Sequence, residues 1–277
     1  MIICADDYGI SDSVDDAVLE LIQNNRLTAS SCIVNCQNVK SSIPRLKEYI
    51  NKIDIGIHLS LTEGKPLSNQ KADGGLVDHN GRLNSFWNLT AKAYSKSIQS
   101  TSAYHEIRTQ IEVFSDLLGM MPDFIDGHQH VQQLPVIREA MVNVINDMNF
   151  SPYIRIASLP GDWMMSELFR FSPKLTFNNM MINYPGRKAG KLFMKNGFHC
   201  NRYLLGYYHR KCEATFSEIV GLYTNINPID KDIFFCHPGY EEKHRVDCFR
   251  FLLSGEFSRI CSERGIALNR FSSMGTV

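Results

Sequence analysis

The sequence predicts an α/β protein built on a parallel sheet that is either open or closed into a barrel. Short apolar runs alternate along the 277 residues with segments in which apolar residues recur at helical spacing. Repeated strand–helix units of this kind give a parallel sheet with both faces covered. No internal repeat, low-complexity tract or linker interrupts the pattern, so we expect a single domain over residues 1–277.

The first half of the chain shows this alternation most regularly. The apolar run MIICA (1–5) predicts a buried strand, and the helix that follows it over 11–25 has Ser11 or Ser13 as its N-cap. One face of that helix is apolar and consists of Val14, Ala17, Val18, Leu21 and Ile22. Further short apolar runs predict strands over 30–35, 53–61, 123–126 and 153–157.

Three more helices are predicted between these strands. The segment 41–50 has its proline near the start, where a helix tolerates it. The segment 104–119 has an apolar side that consists of Ile107, Ile111, Phe114 and Leu118. The third predicted helix covers 135–148.

The second half of the chain is less regular. From about 160 to 215 the alternation of strand and helix patterns is lost. Residues 62–103 are too polar to belong to the core and too long for a simple connection between two elements. Long loops usually line or cover a site, so we expect both segments to be loop excursions over the carboxyl ends of the strands. Regular elements resume with a helix over 216–226, a strand over 232–236, one long or two short helices over 245–265, and a last strand over 266–271.

The composition excludes several classes of partner. Lys plus Arg equals Asp plus Glu at 29 each, so no global field attracts nucleic acid or an anionic membrane. No apolar run reaches transmembrane length, and no signal-peptide pattern precedes the first strand. The 8 cysteines are scattered without a Cys-x-x-Cys pair, which is typical of reduced, buried thiols. We therefore expect a cytoplasmic protein without nucleic-acid binding or membrane insertion.

Polar residues stand where the predicted strands end. They are Asp6, Asp7, His58, His128, His130 and His237. The carboxyl ends of parallel strands meet at one edge, so we expect these side chains to form one site. One carboxylate and two imidazoles can bind a divalent cation and leave a position for water, and Asp7, His58 and His128 can fill those roles. The second carboxylate, Asp6, can then stay off the cation and take a proton from water.

The adjacent aspartates impose a geometric condition. Neighbouring residues on a regular strand point to opposite faces, so Asp6 and Asp7 can share a site only if the chain is already leaving the strand. Gly9 is the kind of residue that lets the chain turn there. Near the same site, His237 can protonate a leaving group, and Arg155 can either hold Asp6 ionised or bind a substrate oxygen.

Each of these residues also has a purely structural interpretation. The aspartates could cap the helix over 11–25 or face solvent. His58 could be a core histidine bonded to the backbone, and His237 could be a turn residue. His130 could support a ligand or contact substrate rather than bind a cation. The coincidence of four polar placements at four strand ends favours a site.

Five stretches occur in an order that resembles a known family. They are ADDYG (5–9), GIHLSLTEGKPL (56–67), DFIDGHQHVQQLP (123–135), the arginine of YIRIA (153–157) and CHPGY (236–240). Together they resemble the YdjC-like carbohydrate deacetylases, whose best-known members are chitooligosaccharide deacetylases. The resemblance implies an irregular single-domain (β/α) barrel, TIM-like, with chemistry related to the NodB-type polysaccharide deacetylases.

The same resemblance implies a metal-dependent hydrolase that removes acetyl from an N-acetylated amino sugar, in an oligosaccharide or a glycoconjugate. Asp7, His58 and His128 would hold one divalent cation, Mg or Zn, with Asp6 as base and His237 as acid. Two imidazoles favour Zn on ligand softness, whereas Mg usually prefers oxygen.

Other implied contacts concern the substrate and a second subunit. Tyr8 and Tyr240 are candidates for stacking on a sugar ring, and Arg155 and His130 for binding substrate or supporting the ligands. The family also suggests a homodimer.

Two other functions stay open. A metal-dependent phosphoesterase on a barrel scaffold also collects Asp and His at strand ends. It would more often need further metal ligands and basic residues for phosphate, and only Arg155 is well placed. A non-catalytic sugar-binding regulatory protein could keep the fold without turnover, but the complete set of polar residues argues against it.

Overall fold

Seven parallel strands form one sheet in the computed structural model, which describes residues 1–159, 173–206 and 232–273. The strands are β1 (Ile2–Tyr8), β2 (Ala29–Cys32), β3 (Asp54–Leu59), β4 (Phe124–Gly127), β5 (Tyr153–Ile154), β6 (Leu204–Gly206) and β7 (Ile233–Cys236). Their order is β5-β4-β3-β2-β1-β7-β6, and every neighbouring pair is parallel. The predicted α/β class with a parallel sheet is confirmed.

Helices connect and cover these strands. They are α1 (Asp12–Gln23), α2 (Val39–Lys47), α3 (Phe86–Tyr94), α4 (Ser100–Leu118), α5 (Ile137–Asp147), α6 (Pro173–Lys195), α7 (Lys243–Leu253) and α8 (Gly255–Glu263). Short 3₁₀ turns lie at Ala72–Gly74, His128–Gln133 and Phe271–Ser273. The segment 245–265 forms two helices because Ser254 ends α7 and its side chain caps α8. In the described ranges, no helix combines the length and apolar character that crossing a bilayer requires.

The edges of the sheet approach each other through irregular contacts. In the described part of the chain β5 and β6 do not pair as strands. Ile154 nevertheless forms an isolated bridge with Cys200. The Asn201 side chain also bonds the backbone N–H and carbonyl of Ile156 at 2.7 and 2.8 Å. The sheet is therefore curled, and a closed, TIM-like ring stays a prediction.

The two faces of the sheet bury different side chains. The outer face packs against the helices, and the predicted apolar faces of α1 and α4 are buried there. The inner face has its own cluster, called here the inner cluster, which consists of Ile2, Cys4, Ala29, Phe124, Ala157, Leu204, Ile233, Phe235 and Phe271. Side chains of β1 alternate between the faces, since Ile3 and Ala5 belong to the outer cluster.

Strand β1 differs from its prediction at its carboxyl end. It continues to Tyr8 instead of stopping at Ala5, and its register with β2 shifts between those residues. The shift coincides with a left-handed backbone at Asp7, where φ is 70°, as in a β-bulge. The predicted turn thus begins before Gly9. That glycine is still required, because its φ is 92° and a Cβ would lie 2.6 Å from the Ile33 carbonyl oxygen.

The last predicted strand, 266–271, is wrong. This segment makes two hydrogen bonds with Met1 instead. The Met1 ammonium donates to the Ala267 carbonyl at 2.7 Å, and the Asn269 N–H donates to the Met1 carbonyl at 3.0 Å. It then enters a 3₁₀ turn that places the Phe271 ring in the inner cluster. The segment closes off the amino-terminal end of the inner face rather than extending the sheet.

The two predicted loop excursions contain regular structure. Residues 62–103 include a 3₁₀ turn, α3 and the start of α4, and the described part of 160–215 includes α6 and β6. A Pro-Gly pair within α6 is a loop signal in the sequence, yet Gly186 lets this helix approach the sheet. A Cβ there would lie 1.9 Å from the Ala157 carbonyl oxygen. The predicted helix over 216–226 lies outside the described residues.

The carboxyl group of Asp123, beside β4, tests the electrostatics of the fold. Burial raises its pKa to about 6, although it accepts a hydrogen bond from the Ile55 N–H at 2.8 Å. Because the folded-state pKa of Asp123 is raised, the contribution of its carboxyl group to the free energy of unfolding is fully present below about pH 4. That contribution is lost as the pH rises through about 6. We predict that Asp123→Asn gains stability relative to the parent chain between about pH 4 and pH 7.

Urea unfolding of both proteins across that pH range measures the effect. Asp73→Asn, at an exposed position, is the control and should follow the parent chain. A stability difference for Asp123→Asn that does not change with pH would contradict the burial of this carboxyl group.

Candidate functional site

The inner face of the sheet ends in a layer of polar side chains at the carboxyl ends of the strands. This polar layer consists of Asp6, Ser31, His58, Asp126, Arg155 and His237, and all but His237 are buried. On a strand every second side chain points to the same face, and this alternation places both the inner cluster and the polar layer on the inner face. Asp6 stands two residues after Cys4, and Asp126 stands two residues after Phe124. The structure thus brings the strand-end residues of the sequence together.

Asp7 reaches the polar layer although regular alternation would send it to the outer face. Its left-handed backbone turns the carboxylate inward, where Oδ1 lies 2.9 Å from His128 Nδ1 and 3.4 Å from His58 Nε2. Burial would raise the pKa of Asp7, but hydrogen bonds from His128 and His58 hold that pKa well below its usual value. Both adjacent aspartates therefore face one site, as the geometric condition demands.

Asp7, His58 and His128 form a donor set that fits a divalent cation. All three residues are buried, and their ligand atoms lie within 4.8 Å of one another. Among the described residues, no hydrogen-bond partner reaches the buried His128 Nε2, which is a cost that bound ligands relieve.

Asp6 is held by a buried guanidinium instead. Arg155 Nη1 and Nη2 each donate to one oxygen of Asp6 at 2.7 Å, and Nη2 also pairs with Asp126 Oδ2 at 2.9 Å. Bidentate pairs of this kind are both strong and directional. Burial would raise the pKa of Asp6, but Arg155 brings that pKa below its usual value. Of the two roles predicted for Arg155, the structure shows the pairing with Asp6.

His58 lies between the two carboxylate groups. Its Nε2 faces Asp7, its Nδ1 is 2.5 Å from Asp126 Oδ1, and Ser31 Oγ is 3.1 Å from the same Nδ1. Burial would lower the pKa of His58, but Asp126, Asp7 and Asp6 raise that pKa to about 10. The carboxylates around His58 therefore favour its protonated ring, and Nε2 must lose its proton before it can bind a cation.

Arg245 is a site residue that the sequence reading did not identify. Its Nη2 donates to Asp7 Oδ2 at 2.7 Å, and its Nε donates to Glu242 at 3.0 Å. The arginine lies directly over Gly239, where a Cβ would be 3.0 Å from Arg245 Cδ. The sequence signal for Arg245 was the glycine of CHPGY, because the missing side chain at Gly239 leaves the space through which Arg245 reaches Asp7.

His237 approaches Asp6 from the end of β7. Its Nε2 lies 3.9 Å from Asp6 Oδ2, and its side chain is 31% exposed, so it faces both the carboxylate and solvent. Desolvation lowers the pKa of His237 to about 4. The imidazole is therefore neutral near pH 7, and it must gain a proton before it can act as the predicted acid.

The two tyrosines predicted to contact a sugar ring are placed away from the polar layer. Tyr8 is buried on the outer face beyond the bulge, where its hydroxyl donates to the Ser42 carbonyl at 2.8 Å. Tyr240 is partly exposed, but its hydroxyl donates to Glu20 of α1 at 2.6 Å. The burial of Tyr8 leaves its ring no access to a sugar, whereas stacking by Tyr240 stays a prediction.

His130 lies beside the polar layer rather than in the donor set. The backbones of Gln129 and His130 are both left-handed, so His128 and His130 lie on a turn rather than on an extended segment. The His130 ring packs edge-on against Phe235, with 6.1 Å between ring centroids. Burial and the positive charge of Arg155 lower the pKa of His130 to about 3, so the ring is neutral. Contact with substrate or with a ligand residue stays a prediction.

A cavity of about 370 Å³ adjoins the donor set. Its wall consists of Ile10, Glu63, His128, Glu242, His244 and Arg245. His128 and Arg245 both contact Asp7, so a molecule in this cavity would lie beside the donor set. Glu63 comes from the segment 62–103 that the sequence predicts to lie near the site.

A family model described as "YdjC-like protein" matches residues 1–263. The chain belongs to the YdjC-like family. Among its relatives, a carbohydrate deacetylase from Danio rerio is 25% identical over 210 residues, which are 74% of this chain and 64% of that protein.

Other relatives match shorter parts of the YdjC-like chain. A carbohydrate deacetylase from Clostridium beijerinckii is 30% identical over 54% of this chain and 57% of that protein. A chitooligosaccharide deacetylase from Serratia marcescens is 30% identical over 50% of this chain and 52% of that protein. The matches therefore span between 52% and 64% of the length of these relatives.

A solved structure supports the fold of the YdjC-like chain over nearly its whole length. It is a proposed cellobiose-phosphate cleavage protein from Enterococcus faecalis, and it aligns with a TM-score of 0.74 at 18% identity. The alignment covers 99% of this chain and 98% of that one. At this identity the likeness concerns the fold.

Removing Arg155 tests the buried ion pairs of the YdjC-like site. Arg155→Met leaves Asp6 and Asp126 buried without their shared cationic partner, which costs about 3–5 kcal/mol when a buried pair is broken. We expect urea unfolding to show a loss of that size. Arg108→Met, which removes an exposed pair with Glu112, should change stability by less than about 1 kcal/mol. Equal losses for the two variants would contradict the assignment.

Proposed function

We propose that the chain hydrolyses the N-acetyl group of an amino sugar, in an oligosaccharide or a glycoconjugate, and releases acetate. The observation that carries the proposal is the separation of two adjacent carboxylates. Asp7 faces His58 and His128, whereas Asp6 is held by Arg155 outside that donor set. The names of the relatives, carbohydrate deacetylase and chitooligosaccharide deacetylase, support the same chemistry.

Asp7, His58 and His128 are the residues proposed to hold one divalent cation. When bound, such a cation would polarise the acetyl carbonyl and make a neighbouring water more acidic. Arg245 occupies Asp7 Oδ2, which leaves Oδ1 turned towards the two histidines. The two imidazoles make Zn the better match, and Mg is the alternative.

Asp6 is the proposed general base. Arg155 binds both of its oxygens and favours the ionised form, so Asp6 can accept a proton from the attacking water. His237 lies 3.9 Å away and is neutral, so it can take up that proton and deliver it to the sugar amine as the amide bond breaks. This order assigns His237 to proton transfer between Asp6 and the departing amine.

The phosphoesterase alternative is not favoured by the ion pairs of the site. Arg155 is paired with Asp6 and Asp126, and Arg245 is paired with Asp7 and Glu242. A phosphate group would have to compete with these carboxylates for both guanidiniums. A neutral acetamido group has no such requirement.

Acetate release is the direct test. The metal-loaded protein is incubated with N-acetylglucosamine oligomers and sugar nucleotides, and Asp6→Asn is expected to release acetate at least about 100-fold more slowly. Cation binding should persist in that variant because Asp6 lies outside the donor set. Asp54→Asn is the control, since Asp54 is buried at the opposite end of β3 and bonds Ser272. It should keep the parental rate.

Two results would overturn the proposal. One is the absence of acetate from every N-acetylated sugar with either Zn or Mg, which would favour a sugar-binding protein without turnover. The other is equal release by the parent chain and Asp6→Asn, which would remove Asp6 as the base. Phosphate release from p-nitrophenyl phosphate without acetate release would favour the phosphoesterase.

A further inference from the structure

Asp126 joins the two halves of the site, yet the proposed division between cation ligand and base does not use it. Its Oδ1 is 2.5 Å from His58 Nδ1, and its Oδ2 is 2.9 Å from Arg155 Nη2. The residue is fully buried. The sheet itself sets this contact, because His58 and Asp126 are direct partners on the neighbouring strands β3 and β4.

We propose that Asp126 is a positioning residue that holds the His58 ring with its proton on Nδ1 and with Nε2 turned towards the cation. The inference rests on the cation site of the proposed function. An ionised carboxylate can only accept a hydrogen bond, so its neighbour Nδ1 must donate. The other oxygen of Asp126, Oδ2, lies 2.9 Å from Nη2 of Arg155, whose guanidinium can only donate. Histidines that bind metals are commonly oriented through the other ring nitrogen in this way.

Ser31 is the rival partner of His58 Nδ1. Its hydroxyl lies 3.1 Å from that nitrogen, compared with 2.5 Å for Asp126 Oδ1. A hydroxyl can donate or accept, so it is compatible with either tautomer and selects neither. The carboxylate is both closer and restricted to accepting. Selection of the tautomer is therefore assigned to Asp126.

The substitution Asp126→Asn is informative because an amide has one oxygen and one NH₂ group. If the amide oxygen faces Arg155, its NH₂ group faces His58 and requires Nδ1 to accept, which moves the ring proton to Nε2. If the oxygen faces His58, the NH₂ group points at the guanidinium. The variant cannot satisfy both neighbours, although it has nearly the same shape as the parent.

Zn²⁺ binding to the full chain tests the inference, measured by isothermal titration calorimetry at one fixed pH. Asp126→Asn is expected to bind Zn²⁺ about 10–100-fold more weakly than the parent. Ser31→Ala and the buried control Asp54→Asn should both bind close to the parental affinity. Circular dichroism establishes that each variant is folded at the temperature of the titration.

The outcomes separate the inference from the function beneath it. Equal affinity of the parent and Asp126→Asn would overturn the inference alone. A comparable loss in Ser31→Ala would assign the role to Ser31 and overturn it as well. If the parent chain itself does not bind Zn²⁺ or Mg²⁺, the proposed cation site fails, and the inference fails with it.

A measurement on the parent chain tests the same point without a substitution. Long-range ¹⁵N–¹H correlation spectra of the Zn²⁺-loaded protein distinguish the two tautomers of each histidine. We expect the proton of His58 on Nδ1 and the metal on Nε2. A protonated Nε2 on His58 would overturn the inference even if Asp126→Asn does not fold.

Discussion

The left-handed backbone of Asp7 is the constraint on which the site depends. Ile2 and Cys4 of β1 belong to the inner cluster, so regular alternation would turn Asp6 inward and Asp7 outward among the helices. A φ of 70° at Asp7 breaks this alternation and directs both carboxylates to one face. Such a conformation costs on the order of 1–3 kcal/mol, which the hydrogen-bonded contacts of the carboxylate with His128 and Arg245 offset.

Bringing a second carboxylate inward creates a problem of buried charge. Asp6, Asp7 and Asp126 are all excluded from solvent, and an unpaired buried charge is costly. Arg155 bridges Asp6 and Asp126, and Arg245 pairs with Asp7 from the far end of the chain. These pairs do more than neutralise charge, because each fixes the direction in which a carboxylate points. The arrangement that stabilises the layer therefore also separates the proposed base from the proposed ligand.

Most of the polar layer follows from the period of two and could be read from the sequence. His58 alternates with Ile57 and Leu59, which face outward, and His237 stands two residues after Phe235, which faces inward. The inward direction of both histidines was therefore predictable. The outward direction of Tyr8 does not follow from this period, because uninterrupted alternation would place Tyr8 inward after Ile2, Cys4 and Asp6, and the register shift at Asp7 turns it to the outer face. The sequence also predicted that the chain must leave the strand for Asp6 and Asp7 to share a site. It did not predict that the turn occurs at Asp7 instead of Gly9, because a left-handed aspartate has no distinct pattern in one sequence.

Other features depend on partners that are distant along the chain. Asp126 has the appearance of a strand residue until the register of β3 against β4 places it beside His58. Arg245 lies on a helix after the last strand, and only the packing of that helix over Gly239 brings it to Asp7. The helix α6 was not predicted because its Pro-Gly pair is typical of a loop. The role of Gly186 is a close approach to Ala157, which is a tertiary contact that the sequence pattern does not show.

Anomalous X-ray scattering from a Zn²⁺-soaked crystal tests directly whether the adjacent aspartates take different roles at one site. We expect one strong peak within bonding distance of Asp7 Oδ1 and of one ring nitrogen each from His58 and His128. Both oxygens of Asp6 should remain paired with Arg155 outside the coordination shell. A peak coordinated by Asp6, or no peak beside Asp7, would rule out this division of roles.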